Sequence, residues 1–239
     1  MKEKNNTIKN GSPVETETPG GNGDLTELVF ILDRSGSMGP VTEDTVGGFN
    51  SLLEKQKREG GRCLIDTILF NQETFLLHDR LDITAIDPLT QKDYIAYGST
   101  ALLDAVGETL ERVQNIRKYL RKEDIPTRTL VIITTDGMEN ASHRYTKEQV
   151  KAIIDSLREE LGWEFLFIGA NIDSVSTAGG LGIPPERSAN YRSDSSGTRA
   201  LYDTITDTVS SFRTKNTVPQ YWKHGLKDES AGENGAAPG

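Results

Sequence analysis

Short, continuously apolar runs alternate along the chain with segments in which apolar residues recur every three or four positions. The runs at residues 28–32, 130–133 and 165–168 contain only apolar side chains, which is typical of strands buried on both faces of a parallel sheet. The runs 63–70 and 74–78 are joined by so short a link that only an antiparallel hairpin fits. The pattern therefore predicts five strands, one of them antiparallel.

Helical spacing defines four further segments between and after these runs. Gly60 and Gly61 end the first segment, and Thr146 and Gln149 form a capping box at the start of the third. The four apolar stripes are Val46, Phe49 and Leu53; Leu103, Val106, Leu110, Val113 and Leu120; Val150, Ile153, Ile154, Leu157 and Leu161; and Leu201, Ile205, Val209 and Phe212. Strands that alternate with helices imply right-handed crossovers. We therefore expect a doubly wound, Rossmann-like α/β fold with a mostly parallel sheet, one short antiparallel edge strand and helices on both faces.

Two shifts in composition set the expected domain boundaries. Residues 1–23 contain few apolar side chains and end in Pro-Gly-Gly-Asn-Gly, which predicts a flexible leader. Residues 214–239 have a similar composition, interrupted by two aromatic residues within 218–222, and we interpret them as a flexible tail. The folded domain should therefore span residues 24–213, a normal size for one hydrophobic core.

The chain is acidic, with 27 Lys and Arg residues against 36 Asp and Glu residues and a formal net charge of -9. Both terminal segments are neutral, so the charge belongs to the domain. Nucleic acid and anionic membrane surfaces are excluded as partners because both require a basic face. The first residues have no apolar stretch behind their charges, and no run reaches membrane-spanning length, so we expect a soluble, cytoplasmic protein. A single cysteine leaves no disulfide within the chain.

Oxygen-bearing side chains follow two of the apolar runs, at the point where each predicted strand ends. They are Asp33, Ser35 and Ser37 after the first strand, Thr100 at the start of the second helix, and Asp136 after the run 130–133. In sheets of this kind, ligands bind outside the carboxyl ends of the strands, near the point where strand order reverses. We therefore expect these five side chains to gather at one edge of the sheet.

The set offers two carboxylates and three hydroxyls, without imidazole or thiol, and such ligands suit a hard cation. Mg²⁺ fits best because it accepts few carboxylates, keeps bound waters and prefers an octahedron, whereas Ca²⁺ usually requires more anionic oxygens. Mn²⁺ and Ca²⁺ remain alternatives. Two carboxylates balance the charge of the ion, and hydroxyl ligands leave it electrophilic enough to accept an external carboxylate.

The D-x-S-x-S stretch that begins at Asp33, Thr100 in G-S-T-A-L-L-D-A and Asp136 in T-T-D-G resemble the metal-ion-dependent adhesion site of von Willebrand factor A domains. All five positions match in type and order, so the resemblance includes a complete site, and it extends over nearly the whole predicted domain. It implies that Ser35 and Ser37 coordinate the metal directly and that Asp33 holds it largely through water. Thr100 and Asp136 would exchange direct and water-mediated contacts.

For function, the resemblance implies an interaction module and not an enzyme. An Asp or Glu of a partner protein would complete the coordination of the metal. Because no signal sequence is found, the chain resembles the intracellular bacterial members of the family more than its adhesive extracellular members. Those bacterial members act beside ATPases or stress-response proteins, so we expect a cytoplasmic adaptor with a partner of that kind.

Two other functions stay open. Asp33, at the end of the first strand, could be the nucleophile of a metal-dependent phosphohydrolase, although Ser35 stands where such enzymes carry a second carboxylate as general acid. Alternatively, the segment 218–222 could dock to a partner while the metal only stabilises the domain.

Residues near the predicted site could support it or touch a partner. Asp104 should either complement the dipole of the second helix or support the metal indirectly. Arg34, at the variable position of the D-x-S motif, should point outward. Further candidates for the rim of the site are Met38, Glu139, Asn140 and His143.

Overall fold

The computed structural model describes residues 25–226, in which the apolar runs form one mixed sheet. The strands are β1 (Thr26–Asp33), β2 (Cys63–Phe70), β3 (Thr74–Asp82), β4 (Arg128–Thr135), β5 (Glu164–Gly169) and β6 (Ser188–Asn190). They lie in the order β3-β2-β1-β4-β5-β6, and every neighbouring pair is parallel except β2 and β3. The expected fold class, with an antiparallel strand at the edge, is confirmed.

Within residues 25–226, five α-helices cover the two faces of this sheet. They are α1 (Thr42–Arg58), α2 (Leu102–Arg117), α3 (Lys147–Leu161), α4 (Ser174–Gly180) and α5 (Ser195–Lys215). Successive residues of a strand point to opposite faces. Leu28, Phe30 and Leu32 share one core with α1 and α5, whereas Val29 and Ile31 share the other with α2, α3 and α4. Because β1 is buried on both faces, its run 28–32 is continuously apolar instead of alternating.

The predicted strands and helices are present, with differences at their ends. β3 runs to Asp82, beyond the predicted 74–78, and α2 ends at Arg117, so that Leu120 lies outside it. Neither α4 nor β6 was predicted. A helix of seven residues with two glycines and a strand of three residues are too short to show a period in the sequence.

The segment after α5 corrects the predicted domain boundary at residue 213. α5 continues to Lys215, and the chain then packs against the domain as far as residue 226. Val218, Trp222 and Leu226 lie in the core on the side of α5, and the indole N–H of Trp222 donates to the carbonyl of Glu186 at 2.8 Å. Residues 214–226 therefore belong to the folded domain and not to a flexible tail. The predicted leader and residues 227–239 lie outside the described residues.

Cys63 is buried in β2, and burial raises the pKa of its thiol to about 12, so it serves as a small hydrophobic side chain. Among the residues from 25 to 226, no helix has both the length and the apolar character needed to cross a membrane.

Candidate metal centre

The pairing of β1 with β4 brings the two predicted carboxylates together. The two strands are adjacent, parallel and in register, so Asp33 and Asp136 leave the sheet at the same edge. Both are buried, with 0% and 3% of their surface exposed. Thr100 reaches this edge from the turn before α2, where Ala101 donates its N–H to the carbonyl of Asn71 after β2.

Asp33 is held by uncharged donors. The N–H of Ser35 donates to its Oδ1 at 2.7 Å, and the hydroxyl of Thr135 donates to its Oδ2 at 2.6 Å. The buried hydroxyl of Tyr94 donates to the backbone carbonyl of Asp33. Desolvation by burial raises the pKa of Asp33, although the hydrogen bonds from Thr135 and Ser35 act in the opposite direction. A cation at this position would favour the ionised carboxylate and so oppose the effect of burial.

Asp136 is held by hydroxyl groups. Ser37 donates to its Oδ1 at 2.5 Å, and Ser193, from the loop between β6 and α5, donates to its Oδ2 at 3.2 Å. The hydroxyls of Ser35 and Ser37 lie 3.2 Å apart. The two serines of the D-x-S-x-S stretch therefore face the same side of their loop, toward the carboxylates.

The hydroxyl of Thr100 closes another side of the site. A Cβ placed on Gly137 would lie 3.4 Å from Oγ1 of Thr100 and 3.6 Å from Oγ of Ser37, so the two hydroxyls converge at this glycine. Gly36 donates its N–H to the carbonyl of Gly98 at 3.0 Å, and a Cβ on Gly36 would stand 3.3 Å from that oxygen. Gly98 has φ +77°, which glycine adopts without strain. These glycines allow the serine loop and the threonine loop to approach each other closely.

The arrangement fits a divalent cation bound by oxygen atoms. Adjacent ligands of an octahedron with metal–oxygen bonds of about 2.1 Å lie roughly 3 Å apart, close to the 3.2 Å between the hydroxyls of Ser35 and Ser37. Within residues 25–226, no cluster of three or more His, Cys, Asp or Glu side chains could hold a metal on its own. Hydroxyl ligands are therefore needed to complete a set that contains only two carboxylates.

Hydrogen bonds that involve backbone groups join the start of α2 to the loop between β4 and α3, behind the site. Asn140 donates its N–H to the carbonyl of Thr100 at 3.0 Å and accepts the N–H of Thr100 at 2.9 Å. The carboxylate of Glu139 accepts an N–H from the first turn of α2. Burial acts to raise the pKa of Asp104, but N–H groups of residues 143–145 donate to it and lower that pKa overall. Asp104 therefore anchors this loop, which in turn fixes Thr100.

Two of the rim residues differ from expectation. Met38 is 3% exposed and packs in the core, so it cannot touch a partner. Arg34 does not extend into solvent, because its guanidinium lies over the rings of Phe75 and Tyr97, 5.4 and 5.8 Å from their centres. His143 is exposed at the rim.

Thr135, Ser193 and Tyr94 touch the predicted ligands but were not predicted. Thr135 directly precedes Asp136 in T-T-D-G, so the sequence already indicated that Thr135 lies near the site. Ser193 and Tyr94 lie 57 and 61 positions away from the residues that they contact. No local pattern indicates pairs so distant along the chain.

No family model matches the chain, and no curated protein matches its sequence. Solved structures do match it. The von Willebrand factor domain of the type V pilus tip protein Mfa5 from Porphyromonas gingivalis is 12% identical, with a TM-score of 0.57 over 82% of this chain and 99% of that domain. The minor pilin PilB of Streptococcus sanguinis is 9% identical, with a TM-score of 0.56 over 82% of this chain and 64% of the pilin.

Proximal thread matrix protein 1 from the mussel byssus is 13% identical, with a TM-score of 0.55 over 77% of this chain, which spans about half (48%) of the mussel protein. The mussel protein has also been solved with zinc in its metal-ion-dependent adhesion site motif, at 15% identity and a TM-score of 0.52 over 79% of this chain and 46% of that one. These similarities show that the chain has the fold of von Willebrand factor A domains.

Proposed function

We propose that this chain is a metal-dependent protein-interaction module, in which Mg²⁺ at the carboxyl edge of the sheet accepts an Asp or Glu side chain of a partner protein. The proposed ligands, direct or through water, are Asp33, Ser35, Ser37, Thr100 and Asp136. The ion, when bound, supplies a positive centre with an open coordination position for that carboxylate.

One observation carries the proposal, namely the convergence of two buried carboxylates and three hydroxyls at one edge of the sheet. The hydrogen bonds described above for Asp33 and Asp136 all come from uncharged donors. Two like charges in one buried site are unfavourable unless a cation balances them. Ser37 is exposed, so the site opens to solvent at this serine.

Charge and ligand number favour Mg²⁺ in this proposal. Ca²⁺ generally takes about six to eight oxygen ligands, several of them carboxylates, and the chain offers two carboxylates here. Mg²⁺ binds through one or two carboxylates and keeps waters, one of which a partner's carboxylate can replace. Mn²⁺ accepts the same oxygen ligands and serves as a substitute in experiments.

The ligand set is tested by calorimetric titration of the purified chain with MgCl₂ and MnCl₂. We expect saturable binding that Thr100→Val strongly weakens, because valine keeps the shape of the side chain and removes only the hydroxyl oxygen. Ser99→Ala is the matched control, since Ser99 is exposed and adjacent but is not a proposed ligand. Equal metal affinity in Thr100→Val and the unaltered chain would contradict the assignment of Thr100.

The interaction is tested by capture of proteins from lysate of the source cells on the immobilised chain. We extend the proposal to a cytoplasmic adaptor whose partner is an ATPase or a stress-response protein, on the strength of the resemblance to intracellular bacterial family members. We expect a partner that binds with Mg²⁺ and is lost with chelator or with Thr100→Val. Proteins retained equally under all conditions would contradict the metal-bridged mechanism.

The alternative functions have less support. As a phosphohydrolase nucleophile, Asp33 would need an accessible oxygen, yet its carboxylate is buried and both oxygens accept hydrogen bonds. Turnover of a generic phosphate ester that requires Mg²⁺ and disappears in Asp33→Asn would replace our proposal. Docking through the segment 218–222 has less support because Val218 and Trp222 are buried in the core of this chain.

A further inference from the structure

A pocket of about 260 Å³ lies beside the metal centre, between α2, α4 and the loop from β4 to α3. Its apolar walls are Leu102, Leu103, Ile172 and Leu181. Gly137 also lines the pocket, and the hydroxyls of Thr100 and Ser37 converge at this same glycine. The pocket and the metal centre are therefore neighbours across a single residue that has no side chain.

The size and lining of the pocket suit one apolar side chain. Pockets for drug-sized ligands and cofactors measure roughly 300–1,000 Å³, so this one is small for such a ligand. Leu102 and Leu181 form a buried apolar floor. Met138, which is 73% exposed, stands at the rim. An exposed methionine is flexible and polarisable, and it adapts readily to the shape of an apolar partner.

Charge at the mouth favours an acidic segment. Lys147 is exposed and lines the pocket. Glu139 lines it as well, but its carboxylate accepts N–H groups from Leu103, Ala141 and Ser142, which offset its charge. A segment that brings a carboxylate to the metal would thus meet a lysine and not a bare carboxylate at the pocket.

We propose that this pocket receives a large apolar side chain, Leu, Met or Phe, from the same partner segment whose Asp or Glu binds the metal. The inference rests on the proposed function and deepens it. It names the partner class as a short acidic segment with an apolar anchor close to its metal-binding carboxylate. One carboxylate on a metal selects weakly among acidic proteins, whereas burial of an anchor in a fitted pocket adds both affinity and selectivity.

The probe is a displayed library of random peptides with one glutamate fixed, selected on the full chain in the presence of Mg²⁺ and eluted with chelator. We expect enrichment of Leu, Met or Phe at one or two fixed distances from the glutamate. An enriched peptide should lose about tenfold or more in affinity when its apolar residue is changed to alanine.

Ser176→Trp places a bulky ring at the mouth of the pocket, where Ser176 is exposed on α4. Val175→Trp is the matched control, because Val175 is exposed on the same helix and is absent from the pocket lining. We expect Ser176→Trp to weaken the enriched peptide about tenfold. Ser176→Trp should bind Mg²⁺ in calorimetry as tightly as the unaltered chain does. Val175→Trp should bind the peptide as tightly as the unaltered chain does.

The outcomes separate this inference from the function on which it rests. Peptides that elute with chelator but show no apolar preference, or that bind Ser176→Trp normally, would refute the pocket and leave the metal-bridged function standing. A selection with no dependence on Mg²⁺ would refute both. Enrichment of basic residues around the fixed glutamate would refute the acidic character of the segment, since Lys147 would then attract nothing.

Discussion

Replacement of Asp33 by asparagine tests whether the carboxylate of this residue binds a metal or only stabilises the fold. An asparagine there can still accept the N–H of Ser35, and the hydroxyl of Thr135 can rotate to accept from the new amide group. The change removes one negative charge from a buried pair and leaves its shape intact. Without metal, we therefore expect the free energy of unfolding of Asp33→Asn to lie within about 1 kcal/mol of that of the unaltered chain, or to be higher.

With metal, the two chains should differ clearly. A ligand at a hundredfold excess over its dissociation constant stabilises the folded state by about 2.7 kcal/mol. For a domain of about 200 residues this raises the melting temperature by roughly 5–11 °C. We expect that rise in the unaltered chain when MgCl₂ replaces chelator, and most of it to be lost in Asp33→Asn.

Thermal unfolding followed by circular dichroism measures both effects. One sample contains chelator, and the other contains MgCl₂ at a hundredfold excess over its dissociation constant. Asp203→Asn, an exposed position on α5, is the charge-matched control and should respond to Mg²⁺ as the unaltered chain does. A full response to Mg²⁺ in Asp33→Asn would refute the role of Asp33 as a ligand. A loss of several kcal/mol in chelator would instead make Asp33 a structural residue.

Three further predictions concern stability. Trp222→Ala should lower the free energy of unfolding, measured in urea, by about 3–5 kcal/mol because Trp222 is buried. Tyr221→Ala, at a position that is 67% exposed, should lower it by less than about 0.5 kcal/mol. Equal losses in the two variants would contradict the packing of this segment. Burial, opposed by the ion pair with Arg80, raises the pKa of Glu27 from 4.5 to about 7, so the folded state binds this proton more tightly than the unfolded state. The free energy of unfolding should then fall by up to about 3 kcal/mol as pH rises from 4.5 to 7, and a slope of the same size in Glu27→Gln would disprove this origin. Asp104→Asn should cost about 1–2 kcal/mol at pH 7 because it weakens three charge-assisted hydrogen bonds. Since the pKa of Asp104 is lowered, this cost should disappear as pH falls through that pKa, and a cost unchanged at low pH would argue against the charge.

Features set by neighbours in sequence were predictable. The run 28–32 became the buried core of β1, and Thr146 and Gln149 form the predicted capping box at the start of α3. Four of the five proposed ligands lie at or after the end of β1 or β4, and they meet at one edge because the register of these parallel strands places their ends together. Each of these predictions depends on a local period, or on the rule that parallel strands end together.

Features set by distant contacts were not predictable. Val218, Trp222 and Leu226 form a stripe in an otherwise polar segment, and their burial depends on space left by α5 and β6. Met38 looks like a loop residue in sequence, yet it packs in the core because it lies in a short 3-10 helix, Gly36–Val41, that begins within the D-x-S-x-S stretch and turns it inward. Ser193 reaches Asp136 only because β6 joins the sheet, and a three-residue strand leaves no signal in the sequence.

The electrostatics of the domain give the proposed interaction an order. The formal net charge is -9, and the hydrogen bonds described for Asp33 and Asp136 come from uncharged groups. A partner's Asp or Glu that approached the site without metal would bring a third carboxylate to a buried pair, within an acidic field. A bound divalent cation balances the pair and creates a local attraction that acts at coordination distance, while the repulsion from the rest of the domain is screened by salt over about 10 Å. On the proposed function, metal should therefore bind before the partner, because the acidic charge of the domain should keep acidic proteins away from an unloaded site.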